Sequence, residues 1–371
     1  MGLFTRIIES WERRKTLKEF NQTLSVNKEH RFWDFKNAME EALALFERDH
    51  VAQAKALWYK ASSEFPDESL DSPLTIKLLL KLRMYKELDD LAIKAIRKKP
   101  NDPLFLEGLA QSANDQAKFE AASEYSNRLI RMFPDRRAGY LAAANALSGM
   151  GRATEAEKVI AKAFSRLGDD LTIFIEYARI ADRKEDWEAA LARWHDVYKR
   201  FKHATGIAGS LRALGELKRF DEADALFEDV RFTYGNEFSV WTQFARNAER
   251  RDDWAEANIR WEQFRQRFPR SSLGFIEGSA VLRRLGLEAE AEDLLGIGAS
   301  QVDPEPKILA EYAFAAHRRS AWEAADERWS AYRKIFPDRS EGFVQGSAVL
   351  ERLGRSEDSK QLRHQAPHPV N

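Results

Sequence analysis

The 371-residue chain contains no cysteine. Disulfides, thiolate metal sites and thiol catalysis are therefore excluded, although the compartment is not fixed by that absence. Glycine and proline are sparse, at 18 and 11 residues, too few for a collagenous or low-complexity chain. No run of about 18 uncharged apolar residues occurs, so no helix is expected to span a bilayer. Neither sign of charge predominates, since 59 basic residues face 60 acidic ones. The whole-molecule field thus gives no reason to expect a nucleic-acid partner. Met1 to Glu9 holds only a few apolar residues before Glu9, Glu12, Arg13 and Arg14, short of the roughly 7 to 15 apolar residues of a secretory signal. The expected location is the cytoplasm.

Catalytic patterns are missing too. There is no Gly-rich phosphate loop ending in Lys-Ser or Lys-Thr, no His-Glu-x-x-His and no Gly-x-Ser-x-Gly. Gly296-Ile297-Gly298 lacks the third glycine and the preceding strand of a dinucleotide site. The seven histidines are dispersed, and His364 and His368 sit in a polar tail with Pro367 and Pro369, which suits a flexible end rather than a metal site. No catalytic residue, metal or cofactor is expected.

What the chain does contain is a repeat. Asp186-Trp187 opens an Ala-rich amphipathic run in which Trp194 and Phe201 follow at intervals of seven. Asp253-Trp254, Trp261 and Phe268-Pro269 repeat it, as do Ala321-Trp322, Trp329 and Phe336-Pro337. Weaker copies lie at Phe119, Ser126, Phe133-Pro134 and at Val51, Trp58, Phe65-Pro66, so the phenylalanines are spaced by 68, 68, 67 and 68 residues. The period divides into halves of 34, because Pro66, Pro100, Pro134, Gly168, Gly235, Pro269 and Pro337 fall at steps of about 34, where helices would have to end. Each half reads as a helical hairpin. In alternate halves the turn is written Gly151-Arg152 then Glu155-Ala156, or Gly286-Leu287 then Glu290-Ala291. The others carry charged turns such as Arg183 to Asp186, whose acids favour the start of the following helix. Trp187 and Trp194, Trp254 and Trp261, and Trp322 and Trp329 are each seven apart, hence on one helix face, and are expected in the core.

These residues resemble the tetratricopeptide repeat: a 34-residue hairpin with a small residue in the first helix, Ala in the second, an aromatic four residues later and a closing Pro. In two units those places are Ala245, Ala257, Trp261, Pro269 and Ala313, Ala325, Trp329, Pro337. The resemblance implies an all-α, right-handed solenoid of about ten units over residues 35–371, with 1–34 standing outside it. It also implies a non-catalytic scaffold whose first helices line a concave groove that takes a protein partner.

Two arginine series fall on those first helices. At the thirteenth place stand Arg183, Glu216, Arg250, Arg284, Arg318 and Arg352; at the ninth, Arg179, Arg212 and Arg246 in three consecutive units. Guanidinium forks suit carboxylates or phosphates, so a partner with acidic groups is expected there. A second reading stays open, in which arginines near helix C-termini only complement the macrodipole.

The first residues offer another surface. Leu3, Phe4, Ile7, Ile8 and Trp11 share one face, with Arg6, Glu9, Glu12 and Arg13 opposite, describing an amphipathic helix. It either caps the array or, through residues 1–20 with Arg13, Arg14, Lys15 and Lys18, touches a partner or the inner face of a membrane. The latter alternative makes the chain an accessory subunit of a membrane-associated bacterial machine, such as one assembling glycans.

Overall fold

A computed structural model describes residues 28–48, 50–70, 72–99 and 102–367. Among them there are 21 helices and no strand. Two compact units divide between Lys98 and Lys99. In the first, α1 (Lys28–Glu47) pairs with α2 (Val51–Glu64), and after the single turn α3 (Pro66–Ser69), α4 (Pro73–Lys81) pairs with α5 (Tyr85–Lys98). Phe35, Met39, Trp58 and Leu78 are buried here.

The second unit is a stack of eight hairpins. They are α6 (Pro103–Asp115) with α7 (Phe119–Met132), α8 (Arg137–Gly149) with α9 (Ala153–Leu167), and α10 (Leu171–Arg183) with α11 (Trp187–Phe201). Next come α12 (Ala204–Glu216) with α13 (Phe220–Val230), and α14 (Phe238–Arg250) with α15 (Trp254–Arg267). The last three are α16 (Ser272–Arg284) with α17 (Glu288–Gln301), α18 (Pro306–Arg318) with α19 (Trp322–Ile335), and α20 (Ser340–Arg352) with α21 (Ser356–His364).

One turn conformation recurs in all eight. The residue two places after each first helix has positive φ: Ala117, Gly151, Glu185, Lys218, Asp252, Gly286, Ser320 and Gly354. The amide after it then donates back across the helix end, as in Asp186 N to Ala181 O at 3.1 Å, Asp253 N to Ala248 O at 3.0 Å and Leu287 N to Leu282 O at 2.9 Å. This closes helix carbonyls that would otherwise lack a donor. The glycine turns and the charged turns of the sequence are therefore the same turn. At the start of the second helix, Asp186 and Asp253 accept from Ala189 N (3.2 Å) and Glu256 N (3.0 Å), as expected of acids at that place.

Packing follows the repeat. Ala178, Ala190, Ala245, Ala257, Ala313 and Ala325 are fully buried, and so are Trp261 and Trp329, with Trp194 nearly so. The first tryptophan of each pair differs from expectation, because Trp187, Trp254 and Trp322 are only half-buried. They stand in the first turn of their helices, at the edge of the stack, and Arg284 and Arg352 lie over the faces of Trp254 (5.5 Å) and Trp322 (5.7 Å).

The junctions between hairpins alternate. Backbones approach closely at α7/α8, α11/α12, α15/α16 and α19/α20, and much less at α9/α10, α13/α14 and α17/α18. Glycines permit the close approach. A Cβ on Gly206 would lie 2.5 Å from Tyr198 N and 2.8 Å from Trp194 O, one on Gly274 2.8 Å from Arg265 Cγ, and one on Gly342 2.6 Å from Tyr332 Cδ1. At Gly206 the obstacle is backbone, which cannot rotate away. Gly206→Ala is therefore expected to lower stability by about 1–3 kcal/mol through overpacking, despite a helix-propensity gain of about 1 kcal/mol. Thermal unfolding followed by circular dichroism checks this, and a raised midpoint would contradict the close approach.

Candidate functional site

The first helices of successive hairpins lie side by side, and the expected arginines stand on them. Arg179, Arg212 and Arg246 occupy α10, α12 and α14, with side chains 56%, 35% and 41% exposed. None is isolated. Arg212 pairs with Asp182 of α10, and Arg246 with Glu277 of α16 at 3.2 Å, so each reaches into a neighbouring hairpin. Arg179 lies 4.0 Å from Glu176, a buried carboxylate that Arg183 also grips.

The thirteenth-place residues have two fates, which alternate. Arg183, Arg250 and Arg318 face the residue seven places earlier on their own helix: Glu176, Gln243 (3.4 Å) and Glu311 (3.9 Å). Arg183 also reaches Asn145 of α8 at 3.2 Å, and Arg250 reaches Glu216 of α12 at 2.9 Å. Arg284, like Arg352, instead turns to a tryptophan face. Thus Glu216, the one acid in the series, answers the next hairpin's arginine.

Several charged groups meet on α12 and α14. Burial first, and then the like charges of Arg246 and Arg212, hold the Arg250 pKa below its ordinary value, against the opposing pull of Glu216. Burial also raises the pKa of Glu249, helped by Glu277, while Trp261, Arg246 and Arg250 act the other way. Among the described atoms Arg212 Nε is buried without a hydrogen-bond partner. Farther along, burial and the neighbouring Arg283 lower the Arg318 pKa.

Two devices escaped the sequence reading. The first serves the buried tryptophans, whose indole N–H needs an acceptor inside the stack. Trp194 donates to Asp182 (3.1 Å), Trp261 to Glu249 (2.6 Å) and Trp329 to His317 Nε2 (3.0 Å), always twelve places back. Three different residue types fill one role, which hides it from a search for repeated letters.

The second device is an ionic clasp that also recurs at the 68-residue period. Arg193, Arg260 and Arg328 stack over Tyr177, Phe244 and Tyr312 at 3.7, 3.9 and 3.7 Å. Each donates to the carbonyl of that same aromatic residue, at 2.9, 3.0 and 2.8 Å. Each also binds an acid of the preceding second helix: Glu157 at 2.8 Å, Asp224 at 2.7 Å and Glu292 at 2.6 Å. A cation in the hairpin turn completes it, with Lys184, Arg251 and Arg319 at 3.6, 3.4 and 2.7 Å from those acids.

The amphipathic face Phe4, Ile7, Ile8 and Trp11, and with it the membrane or partner contact of residues 1–20, lies outside the described residues. Among the described residues no helix is long and apolar enough to cross a membrane, and no cluster of His, Asp and Glu has metal-binding geometry.

His317 gives the wall a pH dependence of known sign. To accept from Trp329 its Nε2 must be unprotonated, and burial, then Arg318, hold its pKa below the ordinary 6.5. Above that value His317 is neutral whether the chain is folded or not, and stability is unaffected. As pH falls through 6.5 toward the folded value, the unfolded chain binds the proton more readily, so stability is lost. Unfolding midpoints at decreasing pH should therefore fall less in His317→Gln, whose amide oxygen accepts without titrating. Equal pH slopes in the two proteins would refute the assignment.

No protein-family model matches the chain, and no curated sequence does. Among solved structures it is similar to a tetratricopeptide repeat protein from Parabacteroides merdae ATCC 43184, with 15% identity and a TM-score of 0.42 over 76% of this chain and 98% of that one. It is also similar to the Cut9–Hcn1 hetero-tetramer of the APC/C, with 14% identity and a TM-score of 0.39 over 84% of this chain and about half (54%) of that one. The fold assignment rests on the hairpins themselves: 34-residue units, buried alanines and a buried second-helix tryptophan give this chain the architecture of a tetratricopeptide-type helical repeat.

Proposed function

We propose that the chain is a non-catalytic cytoplasmic scaffold that holds a protein partner, an extended peptide, a helix or a domain, along the wall of first helices. The partner's acidic groups meet Arg179, Arg212 and Arg246, with Arg183, Arg250, Arg284 and Arg318 beside them. The observation that carries this reading is the gathering of Arg212, Arg246 and Arg250 on the adjacent helices α12 and α14, each oriented by a carboxylate of a neighbouring hairpin.

The acids already bound to these arginines do not exhaust them. A guanidinium has five N–H donors, and Arg212 and Arg246 each engage their acid through one nitrogen. The paired acids hold each fork in a fixed orientation, so that little side-chain entropy remains to be lost on binding. A stacked array is also largely preformed, which leaves the ordering cost mainly with the ligand.

The triple variant Arg179→Ala/Arg212→Ala/Arg246→Ala is expected to lose capture of immobilised acidic peptides by about tenfold or more, roughly 1.4 kcal/mol, with helical content unchanged by circular dichroism. Undiminished capture at low salt would sink the reading, as would failure of the parent chain to retain any peptide of the array.

A further inference from the structure

Among the described residues, the three ionic clasps sit at the junctions where backbones stand apart. The acids Glu157, Asp224 and Glu292 lie on α9, α13 and α17, and their cations lie on the next hairpin's second helix and turn. One carboxylate thus ties a second helix to the whole of the following hairpin. The alternate junctions, α11/α12, α15/α16 and α19/α20, carry glycines seated against the neighbouring helix instead. There the approach is limited by hard contact with main chain or side-chain stems, and two helices can neither close further nor slide without collision.

At a wide junction the apolar contacts are made by the ends of long side chains. Phe227 stacks on Phe244 at 3.6 Å across α13/α14, and Phe164 meets Tyr177 edge-on at 5.7 Å across α9/α10. Contacts of this kind survive a small sliding motion. The α9/α10 junction also keeps an open cleft of about 670 Å³, floored by Phe164, Phe174 and Tyr177 and walled by Arg193 and Arg200.

We propose that Glu157, Asp224 and Glu292 are latches that set the width of the three wide junctions. With a latch released, the stack changes pitch at that junction while each glycine junction stays fixed, so that the array moves in blocks of two hairpins. The geometry favours a latch over a simple surface pair. Arg260 is 5% exposed and Arg193 15%, and each is stacked and bound to a carbonyl as well as to the acid. Removing Glu157 leaves the largely buried Arg193 without the carboxylate it binds, a state that drives rearrangement, whereas Arg260 would keep Glu256 at 2.8 Å after loss of Asp224. The claim is independent of any partner on the wall.

Distances between spin labels test it, because the absence of cysteine lets two introduced cysteines be labelled uniquely. Lys162→Cys with Lys199→Cys spans the latched α9/α10 junction, and Lys199→Cys with Asp229→Cys spans the glycine junction α11/α12. In Glu157→Gln the first distance distribution is expected to widen roughly twofold while the second keeps its width. Raising salt to about 1 M, where the screening length is about 3 Å, is expected to shift the parent chain the same way to a smaller extent, since the pair is partly buried. Should Glu157→Gln not fold, Glu292→Gln with labels at Ile297→Cys and Lys334→Cys reads the α17/α18 junction, where Arg328 binds that acid. Unchanged width across the latched junction, or equal widening across both kinds of junction, overturns the proposal.

Discussion

Everything in the stack depends on the hairpin turn being closed in one way. A residue in the left-handed region two places beyond the first helix, followed by an amide that bonds back to a carbonyl five residues earlier, fixes the angle at which the second helix departs. For Glu185, Lys218, Asp252 and Ser320 this conformation costs about 1–2 kcal/mol relative to right-handed backbone, yet it is kept. The reason lies downstream. With the turn fixed, Ala190, Ala257 and Ala325 fall opposite Ala178, Ala245 and Ala313, and the following tryptophan enters the core at full depth. Truncating such an aromatic typically costs about 3–5 kcal/mol, which outweighs the strain in the turn.

The period, the hairpins and the buried second tryptophan were all legible in the sequence because they are written in residue types that have few alternatives. Only small residues fit where Ala245 and Ala257 lie, and only a large aromatic fills the place of Trp261. The turn was half legible. Glycine at 151 and 286 announced it, but Glu185 and Asp252 at the equivalent places read as charged turns of a different kind. The acceptors of the indole N–H were not legible, since an aspartate, a glutamate and a histidine share one role. A carboxylate or imidazole placed twelve residues before a tryptophan means nothing until two helices are folded against each other.

The arginine wall shows a subtler limit. Aligning units at 34 residues puts Arg183, Arg250, Arg284 and Arg318 into one column and invites one explanation. At 68 residues the column separates, with Arg183, Arg250 and Arg318 bound along their own helices and Arg284 laid on an indole. The helix macrodipole alone does not produce this alternation, because every first helix has the same C-terminal polarity. What differs is the neighbour. In alternate hairpins the arginine finds an acid or amide two turns back on its own face, and in the others it finds a half-buried tryptophan at the edge.

Arginine fills the clasp for a reason that lysine cannot meet. At Arg193, Arg260 and Arg328 one side chain must lie flat on an aromatic ring, donate to that residue's carbonyl and still bind a carboxylate on another hairpin. A planar fork with fixed donor directions does all three at once, whereas an ammonium is a point charge whose hydration opposes stacking. Lysine is tolerated at the second seat, where Lys184 stands for Arg251 and Arg319 and needs only to approach the acid. This division accounts for the lowered Glu292 pKa, where burial alone would raise it but Arg328 and Arg319 together prevail. It also gives a physical meaning to the near-equality of basic and acidic residues, 59 against 60. Much of the charge on this chain faces other charge across a junction, so near-neutrality here reflects how hairpins are joined rather than a surface without electrostatic character.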